Sequence, residues 1–120
     1  MNIQARMCLD RLIAQTRALV DEHEIMIARG LPGYPVRKSL SNSVASVYAR
    51  ATHRYLGKSK AVPTVEVAQI NVRAKFQRQG FCKGYLTALE VIAKETGRYV
   101  VVECVLNPDL DRHLRSERAG

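Results

Sequence analysis

From Ile3 to about Ala28 the chain runs without Pro or Gly. Its apolar residues Leu9, Leu12, Ile13, Leu19 and Val20 recur at spacings of three and four, the period of an amphipathic helix. One long N-terminal helix is expected, with one alternative near its end. Ile25, Met26 and Ile27 are consecutive apolar residues, so the helix could break near His23 and continue as a short buried strand. The segment Gly30 to Pro35 (GLPGYP) then stops whatever precedes it. Ser39 to Leu56 supports two readings. Val44, Val47, Tyr48, Ala51 and Tyr55 fit a helix with Ser41 or Ser43 as N-cap, whereas Val47, Ala49, Ala51, His53 and Tyr55 alternate as one face of a strand. Gly57 to Pro63 is a loop on either reading.

The second half has a sharper pattern. Thr64 to Val72 alternates and is rich in β-branched residues, which predicts a strand. Lys83 to Thr96 carries Leu86, Leu89, Ile92 and Ala93 at helical spacing and meets a stop at Gly97, and Arg98 to Leu106 holds Tyr-Val-Val-Val and predicts a buried strand. Strand, loop, helix, strand in this order makes two parallel strands joined by a crossover helix. The expected fold is therefore α/β: a mixed sheet containing this unit over residues 64–106, preceded by a helical part and turn over residues 1–38. One domain over 1–120 is expected, with no internal repeats.

Composition adds limits rather than detail. With 120 residues, 47% hydrophobic and 25% charged, the chain can close one core without disulfides or metal. Cys8, Cys82 and Cys104 are odd in number and form no CxxC pair, which argues against a disulfide framework and against a zinc site. A reducing, cytoplasmic setting is expected, with no membrane span and no metal. The net charge of +8 favours an anionic partner. Nucleic acid is disfavoured, because there is no Trp, only two Phe, and no run of like charges interleaved with aromatics.

The charge matters most between the Thr64–Val72 strand and the following helix. There Val72-Arg73-Ala74-Lys75-Phe76-Gln77-Arg78-Gln79-Gly80-Phe81-Cys82-Lys83-Gly84 contains four basic residues and no acidic one. A helix N-terminus already favours an anion through its free amides and dipole, and Gly80 lets a phosphate approach closely. The loop has the character of a diphosphate cradle. It is neither a Walker A sequence nor a dinucleotide GxGxxG, since the residues those motifs need are missing.

The stretch Gln77-Arg78-Gln79-Gly80-Phe81-Cys82 resembles the Gln/Arg-x-x-Gly-x-Gly/Ala cofactor loop of the GNAT N-acetyltransferases. Val72 and Phe76 before it, Leu86 and Leu89 after it, and Asn107 closing the next strand all fit the same pattern. Cys82 departs from it, as does the absence of the family's Tyr acid after Asn107. The resemblance, which covers about Val65 to Gly120, implies a member, either shortened at its C-terminus or with its final strands outside this sequence, that moves an acetyl group from acetyl-coenzyme A directly to a primary amine. The acceptor would be a protein lysine, an N-terminus or a small molecule. It further implies that Gln77, Arg78, Gln79, Gly80, Cys82, Lys83 and Gly84 hold the diphosphate. The strands ending at Val72 and near Asn107 would clamp the pantetheine arm, with Ile70 to Val72 polarising the thioester oxygen.

Glu66 lies six residues before Val72, where several members of that family place a base. On a regular strand it would share a face with Ala68, Ile70 and Val72, so it is expected to take the amine proton; the alternative is a surface glutamate. His113 is the candidate acid in place of the missing Tyr, or simply a solvated residue. Glu103 is either a second cleft carboxylate or half-exposed, and Cys82 either a reactive thiol or a small filler. His23 and His53 are assigned no site. Missing last strands would leave the Arg98–Leu106 strand open, so a homodimer is expected. The competing reading is a catalytically weak basic module of the same fold that docks on a protein or a nucleic acid.

Overall fold

The structure, a computed structural model, describes residues 1–103. Asn2 starts the first helix, α1 (Ile3–Ala28), its side-chain oxygen accepting from the Ala5 amide at 2.8 Å. α1 is unbroken through Ile25, Met26 and Ile27, so the alternative of a short strand there is not realised. Its buried residues Ala5, Leu9, Leu12, Thr16, Leu19, Val20 and His23 form one stripe at helical spacing, and continuing that stripe requires the last turns to stay helical.

The open region resolves as strands. β1 (Val36–Ser41) and β2 (Ala45–Arg54) form an antiparallel hairpin. Asn42 makes the turn, its side-chain oxygen accepting from the amides of Val44 and Ala45 at 2.9 and 3.0 Å. The strand pattern wins because Ala45, Val47, Ala49 and Ala51 are all buried, and period two puts all four on the face that α1 covers. β3 (Val62–Val72) begins two residues ahead of the expected Thr64, and α2 (Phe81–Thr96) two residues ahead of Lys83. β4 (Tyr99–Val102) lies within the expected Arg98–Leu106 strand, whose last three residues lie outside the described ones.

The sheet order is β1-β2-β3-β4. β3 is antiparallel to β2 and parallel to β4. The α/β architecture is thus a long N-terminal helix followed by a mixed sheet that contains the strand, loop, helix, parallel-strand unit. α1 packs on β1 and β2, and α2 packs on β3, β4 and α1. Two polar ties join the helices: an exposed ion pair, in which Arg17 donates to Glu95 at 2.6 Å, and a buried one, in which the Thr16 hydroxyl donates to the Leu12 carbonyl at 2.8 Å and lies 2.7 Å from the Tyr85 hydroxyl. Because the threonine proton is engaged, Tyr85 is the donor of that second bond. Burial pushes the Tyr85 phenol up to about 12. Among the described residues no helix is long and apolar enough to cross a membrane.

One irregularity positions everything that follows. Along the β2–β3 ladder Tyr48 faces Gln69, but Ala49 faces Val67. Ala68 is therefore an extra residue, a β-bulge, and side chains before it point to the opposite face from those predicted by simple alternation.

Candidate cofactor-binding site

The Arg73 amide donates to the Val44 carbonyl at 2.9 Å. Alternation along an antiparallel ladder then turns the backbone groups of Asn71 and Gln69 towards β2, and those of Ile70 and Val72 towards the other edge. On that edge β4 pairs with β3 only as far as Val67↔Val102, with the Glu103 amide donating to the Val67 carbonyl at 3.0 Å. Among the described residues the stretch from Ala68 to Val72 has a ladder on its β2 side alone. The Val72 carbonyl is capped by the Gln77 side-chain amide at 2.8 Å.

From Val72 the chain makes a short 3-10 turn, Ala74–Phe76, anchored by the buried Phe76. It then takes two left-handed residues, Arg78 at φ 63° and Gly80 at φ 82°. A left-handed arginine is unusual and strained. Gly80 is the N-cap of α2 and brings no side-chain acceptor, in contrast to Asn2 on α1. The first ladder bond of α2 runs from the Gly84 amide to the Gly80 carbonyl at 2.8 Å, so the amides of Phe81 and Lys83 have no partner within the helix. Arg73, Lys75, Arg78 and Lys83 are all exposed, and among the described residues none forms an ion pair. Gln79 is tied from behind, its side-chain oxygen accepting from the Asn2 amide at 3.3 Å.

The structure thus gathers Ile70, Val72, Gln77, Arg78, Gln79, Gly80 and Lys83 where β3 ends and α2 begins. Two predicted members of the cradle do other work. The Gly84 amide is engaged in the helix, and a Cβ on Gly84 would lie 2.9 Å from Leu9 Cδ2; this glycine lets α1 and α2 approach. Cys82 is buried, as expected for the small filler and not for an accessible thiol. Asn107 and His113 lie outside the described residues.

Glu66 requires a correction. The bulge at Ala68 turns it away from Ile70 and Val72, onto the sheet face opposite the helices, opposite Arg50 in the register. Its side chain is 0% exposed. Oε1 accepts from Arg50 Nε at 3.0 Å, and Oε2 accepts from the Thr64 hydroxyl at 2.7 Å and forms an ion pair with Arg54 Nε at 2.6 Å. Both oxygens are thus occupied by donors, two of them guanidinium groups. Glu103 is half-exposed and pairs with the same two arginines, which matches its half-exposed reading. Arg50 and Arg54 were not singled out in the sequence. The available signal was their spacing of four within an alternating strand, which puts both on one face.

No family model matches the chain and no curated protein matches it. Solved structures do. The chain is similar to the aminoglycoside 6'-N-acetyltransferase AAC(6')-Ig of Acinetobacter haemolyticus, at 16% identity over 81% of this chain and 70% of that one, with a TM-score of 0.43. It is similar to an acetyltransferase of Vibrio fischeri, at 19% identity over 89% and 93%, with a TM-score of 0.43. It is also similar to a tetramutant of the BH1408 protein of Bacillus halodurans, at 13% identity over 99% and 88%, with a TM-score of 0.46.

Proposed function

We propose that the chain binds acetyl-coenzyme A at the β3–α2 junction and transfers the acetyl group to a primary amine. The observation that carries this reading is the junction itself. Among the described residues, an α-helix without a side-chain cap, four basic residues without acidic partners and a β3 edge that has no ladder beyond Val67 meet within a few residues. The Phe81 and Lys83 amides and the Arg78 and Lys83 side chains are suited to a diphosphate. Ile70 and Val72 offer the edge a β-like pantetheine arm needs, and their amides are donors for a thioester oxygen that gains charge during attack. The amine nitrogen bonds to the thioester carbon, the carbon–sulfur bond breaks, and the thiolate leaves to take a proton from solvent.

Glu66 is not the base of this scheme, because two arginines hold it on the other face. The amine proton goes to water at the open edge, which makes turnover depend on the fraction of amine already neutral. The same fact favours the second reading, a module that binds the cofactor with little or no turnover. Isothermal titration with acetyl-coenzyme A tests the site. Binding by the wild-type protein and its loss in Gly80→Asp, which adds a side chain and a negative charge beside the diphosphate, is the expected result. Equal affinity in both proteins removes the site from this loop. Binding without acetylation of any amine in a broad screen leaves the binding module.

A further inference from the structure

At the far end of α1 from the cofactor loop, His23 is 0% exposed and lies against His53 of β2, with ring centroids 5.3 Å apart and planes tilted by 55°. His23 Nε2 is 2.9 Å from the Pro32 carbonyl. A carbonyl can only accept, so Nε2 carries the proton and Nδ1 is the bare nitrogen of a neutral imidazole. Nδ1 is buried and has no hydrogen-bond partner among the described residues, and the same holds for His53 Nδ1 and Arg98 Nε. The Arg98 side chain is itself 0% exposed, held by the Thr64 carbonyl at 2.9 Å and by Glu24 at 2.7 Å.

Among the described residues a proton added to His23 Nδ1 would meet no hydrogen-bond acceptor. It would also set a buried charge against the Arg98 guanidinium and the second imidazole. Glu24 offers the nearest compensation, and Arg98 already occupies it. The other charged pair on this part of α1, Glu22 with Lys38 of β1, is exposed. We infer that the last turns of α1, with the Gly30–Pro35 connector, form a pH-sensitive latch that is docked on the sheet while His23 is neutral and opens when His23 takes up a proton.

Desolvation, with Arg98 and His53 as further causes, lowers the His23 pKa below its ordinary value, which fixes the sign. The open form binds the proton more readily than the closed one. The latch therefore has its full stability above the ordinary imidazole range near pH 6.5 and loses it as pH falls through that range towards the lowered value. For one proton the opening equilibrium rises by at most about tenfold per pH unit.

Amide hydrogen exchange between pH 7.5 and 5.0, corrected for intrinsic rates, tests the latch. Residues 20–28 should lose up to about tenfold of protection per pH unit below 6.5, while β2, β3 and α2 keep theirs. In His23→Gln, which retains a donor for Pro32, that loss should vanish. Unchanged protection of residues 20–28, equal loss in every element, or the same loss in His23→Gln would each overturn the latch. Should that variant not fold, the wild-type imidazole nitrogen shifts at pH 5.5 decide. A neutral, Nε2-protonated His23 in the protected state is expected, and a protonated His23 with full protection overturns the inference.

Discussion

Gly80 and Gly84 stand four residues apart in the same helix start and are required for unrelated reasons. At Gly80 the backbone is left-handed and a Cβ would meet nothing within 4 Å, so the constraint is conformational. Gly80→Ala should cost about 1 kcal/mol of stability from the positive φ, measurable by urea unfolding, whereas Gly80→Asp adds repulsion of the proposed diphosphate. At Gly84 the constraint is space. Gly84→Ala pits a helix-propensity gain of about 1 kcal/mol against a contact with the movable end of Leu9, but Gly84→Leu should destabilise by about 1–3 kcal/mol through overpacking. Glu66 carries a third residue-scale expectation. Glu66→Gln removes a buried charge from Arg50 and Arg54, which are themselves partly exposed and keep Glu103, so about 2–4 kcal/mol should be lost in the same assay. Turnover of the folded fraction should be unchanged, and a large fall in it would return Glu66 to the chemistry. The role of Glu66 was not legible in the sequence for a definite reason. One extra residue at Ala68 inverts the alternation, and Val-Glu-Val-Ala-Gln-Ile carries no Gly or Pro to mark a bulge.

Between elements, the long helices were readable because Leu9, Leu12, Leu19, Leu86 and Leu89 repeat at a period no strand can use. The β1–β2 hairpin was not, because an alanine-rich strand such as Ala45–Arg54 satisfies both periods, and its partner β1 shows only Val36 and Leu40 as buried residues. The turn-forming role of Asn42 needed the two strands to be known first. Where elements meet, the Thr16–Tyr85 bond gives a sharp expectation. Tyr85→Phe leaves Thr16 with its Leu12 carbonyl and should cost about 1 kcal/mol, whereas Thr16→Val strands the buried phenol and should cost about 1–3 kcal/mol. The raised Tyr85 pKa also sets an alkaline limit. The folded state favours the neutral phenol, so this contribution is complete below pH 10 and is lost progressively as pH rises through about 12. Urea midpoints measured from pH 9 to 11.5 should fall more steeply in the wild type than in Tyr85→Phe.

On the scale of the whole chain, α1 links the two places where chemistry is expected. Its 26 residues span about 39 Å at 1.5 Å per residue, from the Asn2 cap that holds Gln79 to the imidazole pair at its other end. The net charge of +8 has no acidic counterweight in the proposed cofactor loop, so binding there should be dominated by the diphosphate and should weaken with salt. If acetyl-coenzyme A is present at 100 times its dissociation constant, mass action adds about 2.7 kcal/mol of stability. For a domain of this size that raises Tm by roughly 10 °C. Raising the salt from 0.1 to 1 M contracts the screening length from about 10 to about 3 Å, and the shift should fall to less than half. Pantetheine, which has the arm without the diphosphate, should give almost no shift at the same concentration. A shift that is insensitive to salt and equally produced by pantetheine would mean that the β3 edge, and not the basic loop, supplies the affinity. The Arg73, Lys75, Arg78 and Lys83 cluster would then be an ordinary solvated face.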